Sequence, residues 1–130
     1  NVITVNAGGN SSNQAIVVEG GKGIIAAFLD VNSDRELKKD IAPMSTSNLL
    51  DKVMSLEPVS YEMKWAPGTA DLGFIAQDVA KIVPEVCRTD QSGVARSIDY
   101  SRLTTILAGA VQEQQVQIDD LKEIIAKLQK

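Results

Sequence analysis

A heptad repeat occupies the end of the chain and restricts the folds open to it. Its positions are spaced alternately four and three residues apart over about three repeats, at Leu107, Val111, Gln114, Ile118, Leu121, Ile125 and Leu128. Because a 3.5-residue period keeps one helix face turned towards a partner helix, the pattern predicts a coiled coil between chains. The alternative is one amphipathic helix docked on its own domain.

The seven heptad residues listed above form the seam of the predicted coil. Their residue types bear on the number of helices in it. β-branched residues at the a positions and leucine at the d positions favour two strands when taken alone. Gln114 is a polar residue at a d position. We expect it to set the register or the number of strands.

Residues 1–32 differ in composition from the rest of the chain. Short β-branched runs, such as residues 2–5, 15–18 and 24–31, are separated by clusters of glycine and asparagine. This pattern predicts short strands and turns. A unit of this size cannot bury a core of its own. Residues 1–32 are therefore predicted to be the end of a longer β-structured fibre or stalk, or to share a core between chains.

Residues 33–98 combine helical and strand patterns, which predicts a small α+β domain. Polar N-cap residue types precede its first helical segment, and period-two alternation marks its first strand. The predicted elements are a helix from Leu49 to Leu56, a strand over 59–65, a return strand over 72–75, a helix over 77–83 and a hairpin of 86–88 with 94–98. From residue 99 to 130 the pattern is helical.

The composition excludes several classes of function. The chain has no histidine, which removes Ser-His-Asp chemistry and the commonest metal ligand. The net charge of −4 argues against nucleic acid or an anionic membrane as a partner. No apolar run reaches the ~20 residues that span a bilayer. Residues 20–23 lack the remainder of a phosphate-binding loop. We therefore expect no cofactor, no metal, no nucleic acid and no membrane.

A serine and a lysine lie five positions apart at the border between the two compositions. Serine needs a base to become a good nucleophile. Because histidine is absent, that base must be lysine, aspartate or glutamate. Lysine serves when burial favours its neutral amine. Ser33 and Lys38 can meet if residues 33–38 bend, and Leu37 and Ile41 flank the lysine. On spacing alone, a solvated linker is the competing interpretation.

Four segments of the chain together carry a resemblance to one known family. The first segment, Ser33 to Ile41, fits the signature Ser-Asp-x-x-Leu-Lys-x-x-Ile, in which Asp34, Leu37 and Ile41 are supporting positions. The others are residues 56–61, residues 73–79 with 84–86, and residues 98–103 leading to 112–113. Together they resemble the intramolecular chaperone domain that ends phage endosialidases, tail fibres and neck appendage proteins. One departure is Glu36, where many members carry arginine.

The resemblance implies a homotrimer whose C-terminal helices associate and whose chaperone domain templates the preceding fibre of the same chain. It implies release by autoproteolysis of the Asn32–Ser33 bond, with Ser33 as nucleophile and Lys38 as general base. The domain would act in the host cytoplasm and the fibre would join the virion. Two alternatives stay open: a structural trimer tip with an inert serine–lysine pair, and an independent protease acting in trans.

Overall fold

The computed structural model describes residues 24–130, and the predicted strands before residue 24 lie outside the described part. The chain divides into two units, Asn1–Asp30 and Val31–Lys130. Residues 24–31, predicted to contain a strand, form none. A strand is stabilised by hydrogen bonds to a neighbouring strand, and no strand within residues 24–130 pairs with this segment.

The second unit is α+β, as predicted. After a 3₁₀ turn at Arg35–Leu37, the elements are α1 (Leu49–Ser55), β1 (Val59–Glu62), β2 (Ala70–Gly73), α2 (Ala76–Ile82), a 3₁₀ turn at Pro84–Val86, β3 (Cys87–Thr89), β4 (Ala95–Ile98) and α3 (Tyr100–Leu128). The strands form two separate antiparallel pairs, β1 with β2 and β3 with β4.

The first hairpin differs from its predicted boundaries. Its return strand begins at Ala70 and ends at Gly73, which pairs with Val59. The strand stops there because the next amide, that of Phe74, donates to the Tyr100 hydroxyl at 3.2 Å. The carbonyl of Ile75 then accepts the first hydrogen bonds of α2. The end of β2 is thus joined to the start of α3.

The core lies between α1, α2, the second 3₁₀ turn and the first half of α3. Its buried members are apolar: Leu49, Val79, Val83, Val86, Leu103, Ile106 and Ala110. Every buried residue of α3 lies between Leu103 and Ala110. The second half of the 29-residue helix therefore extends beyond the core. None of the helices in residues 24–130 combines the length and the hydropathy that crossing a bilayer requires.

Candidate functional site

The structure brings Ser33 and Lys38 into direct contact. The Lys38 Nζ lies 2.6 Å from the Ser33 Oγ and 3.2 Å from the Ser33 carbonyl oxygen. A separation of about 2.6–3.2 Å is the reach across which a base can take a proton from a nucleophile. The serine and lysine selected from their spacing therefore meet at hydrogen-bond distance.

A single 3₁₀ turn produces this contact. The amides of Leu37 and Lys38 donate to the carbonyls of Asp34 and Arg35, at 3.2 and 3.1 Å. The Asp34 carboxylate accepts from the Glu36 amide at 3.0 Å and so caps the start of the turn. These bonds reverse the chain and return the side chain of residue 38 to residue 33.

The structure also shows the surroundings of the bond that the sequence predicts to be cleaved. The Asn32 side-chain oxygen accepts from the Asp34 amide at 3.4 Å, a long hydrogen bond that spans Ser33. Leu37 and Ile41 are 70% and 55% exposed, and Ser33 and Lys38 are exposed as well. The apolar flanks expected to exclude water from the lysine therefore do not cover it within one chain.

The seam residues of α3 occupy a face that the domain leaves free. Leu103, Ile106 and Ala110 are buried against the core, whereas every seam residue from Leu107 to Leu128 is exposed. At 100° per residue, the centres of these two faces lie roughly 60° apart around the helix. Docking on its own domain therefore accounts for the first face of α3 and leaves the seam without a partner in the described chain.

Glu113, which the sequence did not single out as a capping residue, supplies the missing cap of α1. The residue before α1, Asn48, has a left-handed backbone (φ 65°) and forms no side-chain cap. Instead the Glu113 carboxylate accepts from the amides of Asn48 and Leu50, at 3.3 and 2.8 Å. The cap was missed because donor and acceptor are more than sixty residues apart in sequence. The only signal was the position of Glu113 at the end of the fourth resembling segment.

Two aspartates, one in the turn of the second hairpin and one before α3, have depressed pKa values. A hydrogen bond from the Ser101 hydroxyl, followed by that from the Arg102 amide at the start of α3, lowers the pKa of Asp99. The pKa of Asp90 is also held well below its usual range, first by the Ser92 hydroxyl and then by Arg96, in the turn between β3 and β4. Both carboxylates organise backbone turns, which is a structural role.

Of two other kinds of candidate site, a metal-binding cluster and a surface groove, residues 24–130 form the groove but not the cluster. No cluster of three or more cysteine and acidic side chains suited to a metal occurs within residues 24–130. A groove of about 440 Å³ lies between α1 and α3 and is bordered by Met44, Leu49, Val86, Arg102 and Ile106. Neither Ser33 nor Lys38 lines it.

Comparison with known proteins identifies the segment around the serine–lysine pair. Residues 33–88 match the model of the Peptidase_S74 family, described as the chaperone of endosialidase. No curated protein matches the chain. The matched range contains three of the four resembling segments and begins at Ser33. The match covers less than half of the chain, and residues 33–88 are therefore similar to the chaperone-of-endosialidase family, which confirms the resemblance to an intramolecular chaperone domain.

Proposed function

We propose that residues 33–130 are an intramolecular chaperone that trimerises, templates the folding of a preceding phage fibre or appendage, and then cuts itself free at Asn32–Ser33. The observation that carries the proposal is the 2.6 Å contact between Lys38 Nζ and Ser33 Oγ. It lies at the start of a segment whose family is named both as a peptidase and as a chaperone.

The proposed reaction uses the side chains of Ser33 and Lys38. The neutral Lys38 amine takes the hydroxyl proton as the Ser33 Oγ attacks the Asn32 carbonyl carbon and forms a C–O bond. The resulting ammonium returns the proton to the Ser33 nitrogen as the C–N bond breaks. An ester now joins the Asn32 acyl group to the Ser33 oxygen. Water hydrolyses the ester, which leaves a carboxylate on Asn32 and restores the Ser33 hydroxyl beside a new amino terminus.

We infer that this reaction depends on assembly. Water stabilises the charged form of a lysine, whereas a base must be neutral to accept a proton. Leu37 and Ile41 are apolar and exposed on either side of Lys38. A neighbouring copy packed on these side chains would exclude water from the pair. Cleavage would then follow assembly and would report that the copies had associated.

The free face of α3 supports association through the terminal helices. Leu121, Ile125 and Leu128 are 58%, 54% and 79% exposed. A helix this long leaves its apolar stripe in water unless another helix covers it. The number of chains, three, follows from the family resemblance, and Gln114 is the seam residue that we propose fixes it.

Removal of a chaperone after folding has a physical rationale. Fibres that pair distant strands from separate chains fold slowly and aggregate readily. A helical domain associates first through local contacts and holds three chain ends at high effective concentration. Once the fibre has formed, cleavage removes the chaperone domain through which the fibre could unfold again. The fibre is then kinetically stable.

Mass spectrometry of the purified protein tests the proposal. The wild type should give an N-terminal piece of 32 residues and a C-terminal piece of 98, which is 130 − 32. Ser33→Ala and Lys38→Met should remain intact. An intact wild-type trimer would instead support a non-cleaving tip of a viral fibre. Bimolecular cleavage of an added Ser33→Ala chain would support a protease acting in trans.

The link between assembly and cleavage has its own test. The double variant Leu121→Asp with Ile125→Asp places two charges in the seam and should abolish both the trimer and the cut. Val116→Asp is the matched control, because Val116 is 60% exposed on the face of α3 opposite the seam. Sedimentation analysis gives the oligomeric state. Efficient cutting by a monomer would refute the coupling.

A further inference from the structure

We propose that Asp34 is a positioning residue for the Ser33–Lys38 pair, and that its carboxylate oxygen holds the turn that returns Lys38 to Ser33. The cleavage part of this inference rests on the proposed function, whereas the positioning part does not. Asp34 has an extended backbone (φ −61°, ψ 135°) and accepts from the Glu36 amide at 3.0 Å, which is the geometry of an N-cap.

Geometry makes the turn a condition for the contact. Five residues of extended chain span about 17 Å. The 2.6 Å separation of Lys38 Nζ and Ser33 Oγ therefore requires the chain to bend between them, because the two side chains together are too short to bridge that span. The fraction of molecules with the turn formed limits the fraction in which the base can reach the nucleophile.

Little besides local hydrogen bonding holds this turn. It contains only three residues, Arg35–Leu37, and none of them is buried. Its two backbone hydrogen bonds are donated by the amides of Leu37 and Lys38 to carbonyls of the same turn. A short helical turn is costly to form and gains little from each bond. The capping bond from Asp34 is therefore a large share of its stabilisation.

The Asp34 carboxylate holds the turn without forming an ion pair with Lys38. Within the described residues, neither Asp34 nor Asp40 forms an ion pair with Lys38. Oδ1 of Asp34 binds a backbone amide instead. An anion paired with the lysine would favour its charged form and oppose its use as a base. Asp34 then acts as a hydrogen-bond acceptor and not through its charge. A side chain with an uncharged acceptor at this position should therefore hold the turn as well.

Substitutions at Asp34 separate the acceptor from the charge. Asp34→Ala should lower the cleavage rate about three- to tenfold, the range expected for losing an N-cap. Asp34→Asn and Asp34→Ser keep an acceptor and should stay within about twofold of wild type. Glu36→Gln is the matched control, because it removes a charge from the same turn and keeps the backbone amide of residue 36 that Asp34 binds. Thermal unfolding midpoints should be the same for all four variants.

A readout that needs no cleavage completes the test. In the full-length Ser33→Ala background, the β-methyl at position 33 should show a nuclear Overhauser effect to the Lys38 ε-protons, and the Glu36 amide should exchange slowly. Adding Asp34→Ala should weaken both signals, whereas Asp34→Asn should preserve them. Unchanged signals in Asp34→Ala, or equal loss in Asp34→Asn, would overturn the inference.

The two proposals fail in different ways. If wild type is cut and Asp34→Ala is cut at the same rate, the role of Asp34 is wrong and the proposed function stands. If wild type stays intact while the two Asp34 variants differ in the magnetic-resonance signals as expected, the positioning role stands and autoproteolysis is wrong.

Discussion

Gly109 of α3 allows α1 to approach closely, and adding a methyl group there should weaken the domain in a way that depends on Leu49. A Cβ built at residue 109 would overlap the Leu49 Cδ1 and would contact Thr46 Cγ2 at 3.5 Å. Leu49 is 5% exposed and belongs to the core, so displacing its side chain would disturb the core packing.

The expected magnitude follows from two opposing terms. Alanine is about 1 kcal/mol more favourable than glycine inside a helix. Overpacking a core costs about 1–3 kcal/mol. Gly109→Ala should therefore lower the free energy of unfolding by about 0–2 kcal/mol. Leu49→Ala alone should lower it by about 2–5 kcal/mol.

The double variant distinguishes a steric clash from helix propensity. Leu49→Ala removes the atom that the new methyl would overlap, so Gly109→Ala should now stabilise the protein by about 1 kcal/mol. Urea unfolding followed by circular dichroism, at equal protein concentration and in the Ser33→Ala background, measures all four proteins. If Gly109→Ala stabilises by the same amount with and without Leu49, the close contact between the helices is not the reason for the glycine.

Three other perturbations test contacts that organise the domain. Glu113→Ala leaves the amides at the start of α1 without their acceptor and should cost about 1–3 kcal/mol in urea unfolding, with Glu113→Gln losing less. Gly73→Ala places a Cβ 2.9 Å from the Tyr100 hydroxyl and should cost about 1–3 kcal/mol by thermal unfolding. The pKa of Asp99 is lower in the folded chain, chiefly through Ser101, so its stabilisation is present above about pH 4 and is lost as the pH falls further. Asp99→Asn should flatten this acid limb in urea midpoints measured from neutral pH downwards.

Local patterns predicted much of the second unit. The spacing of apolar residues located α1, α2 and α3 to within one or two residues. For α1 and α2 this spacing reflects the buried face, whereas for α3 it reflects the seam, which is exposed in the described chain. The turn residues at 90–93 located the second hairpin for a similar reason. The five-residue spacing of Ser33 and Lys38 allowed their contact, which required only a local bend.

Contacts between distant segments were beyond sequence reasoning. The cap that Glu113 gives to α1 and the hydrogen bond from Phe74 to Tyr100 join residues that no periodicity relates. The exposure of Leu37 could not be predicted from the sequence for a different reason. Sequence predicts that an apolar side chain will be covered, but it does not say whether the cover comes from the same chain or another.

The two faces of α3 have a consequence for the orientation of each domain. One uninterrupted helix carries the core contacts at Leu103–Ala110 and the seam from Leu107 to Leu128. Beyond Gly109 it contains neither proline nor glycine, so it has no hinge at which the two faces could rotate against each other. Inserting a single residue after Gln114 would turn the distal seam by about 100°, whereas inserting seven would restore its direction. The number of residues between the core contacts and the seam therefore sets the direction in which the seam faces relative to its own domain.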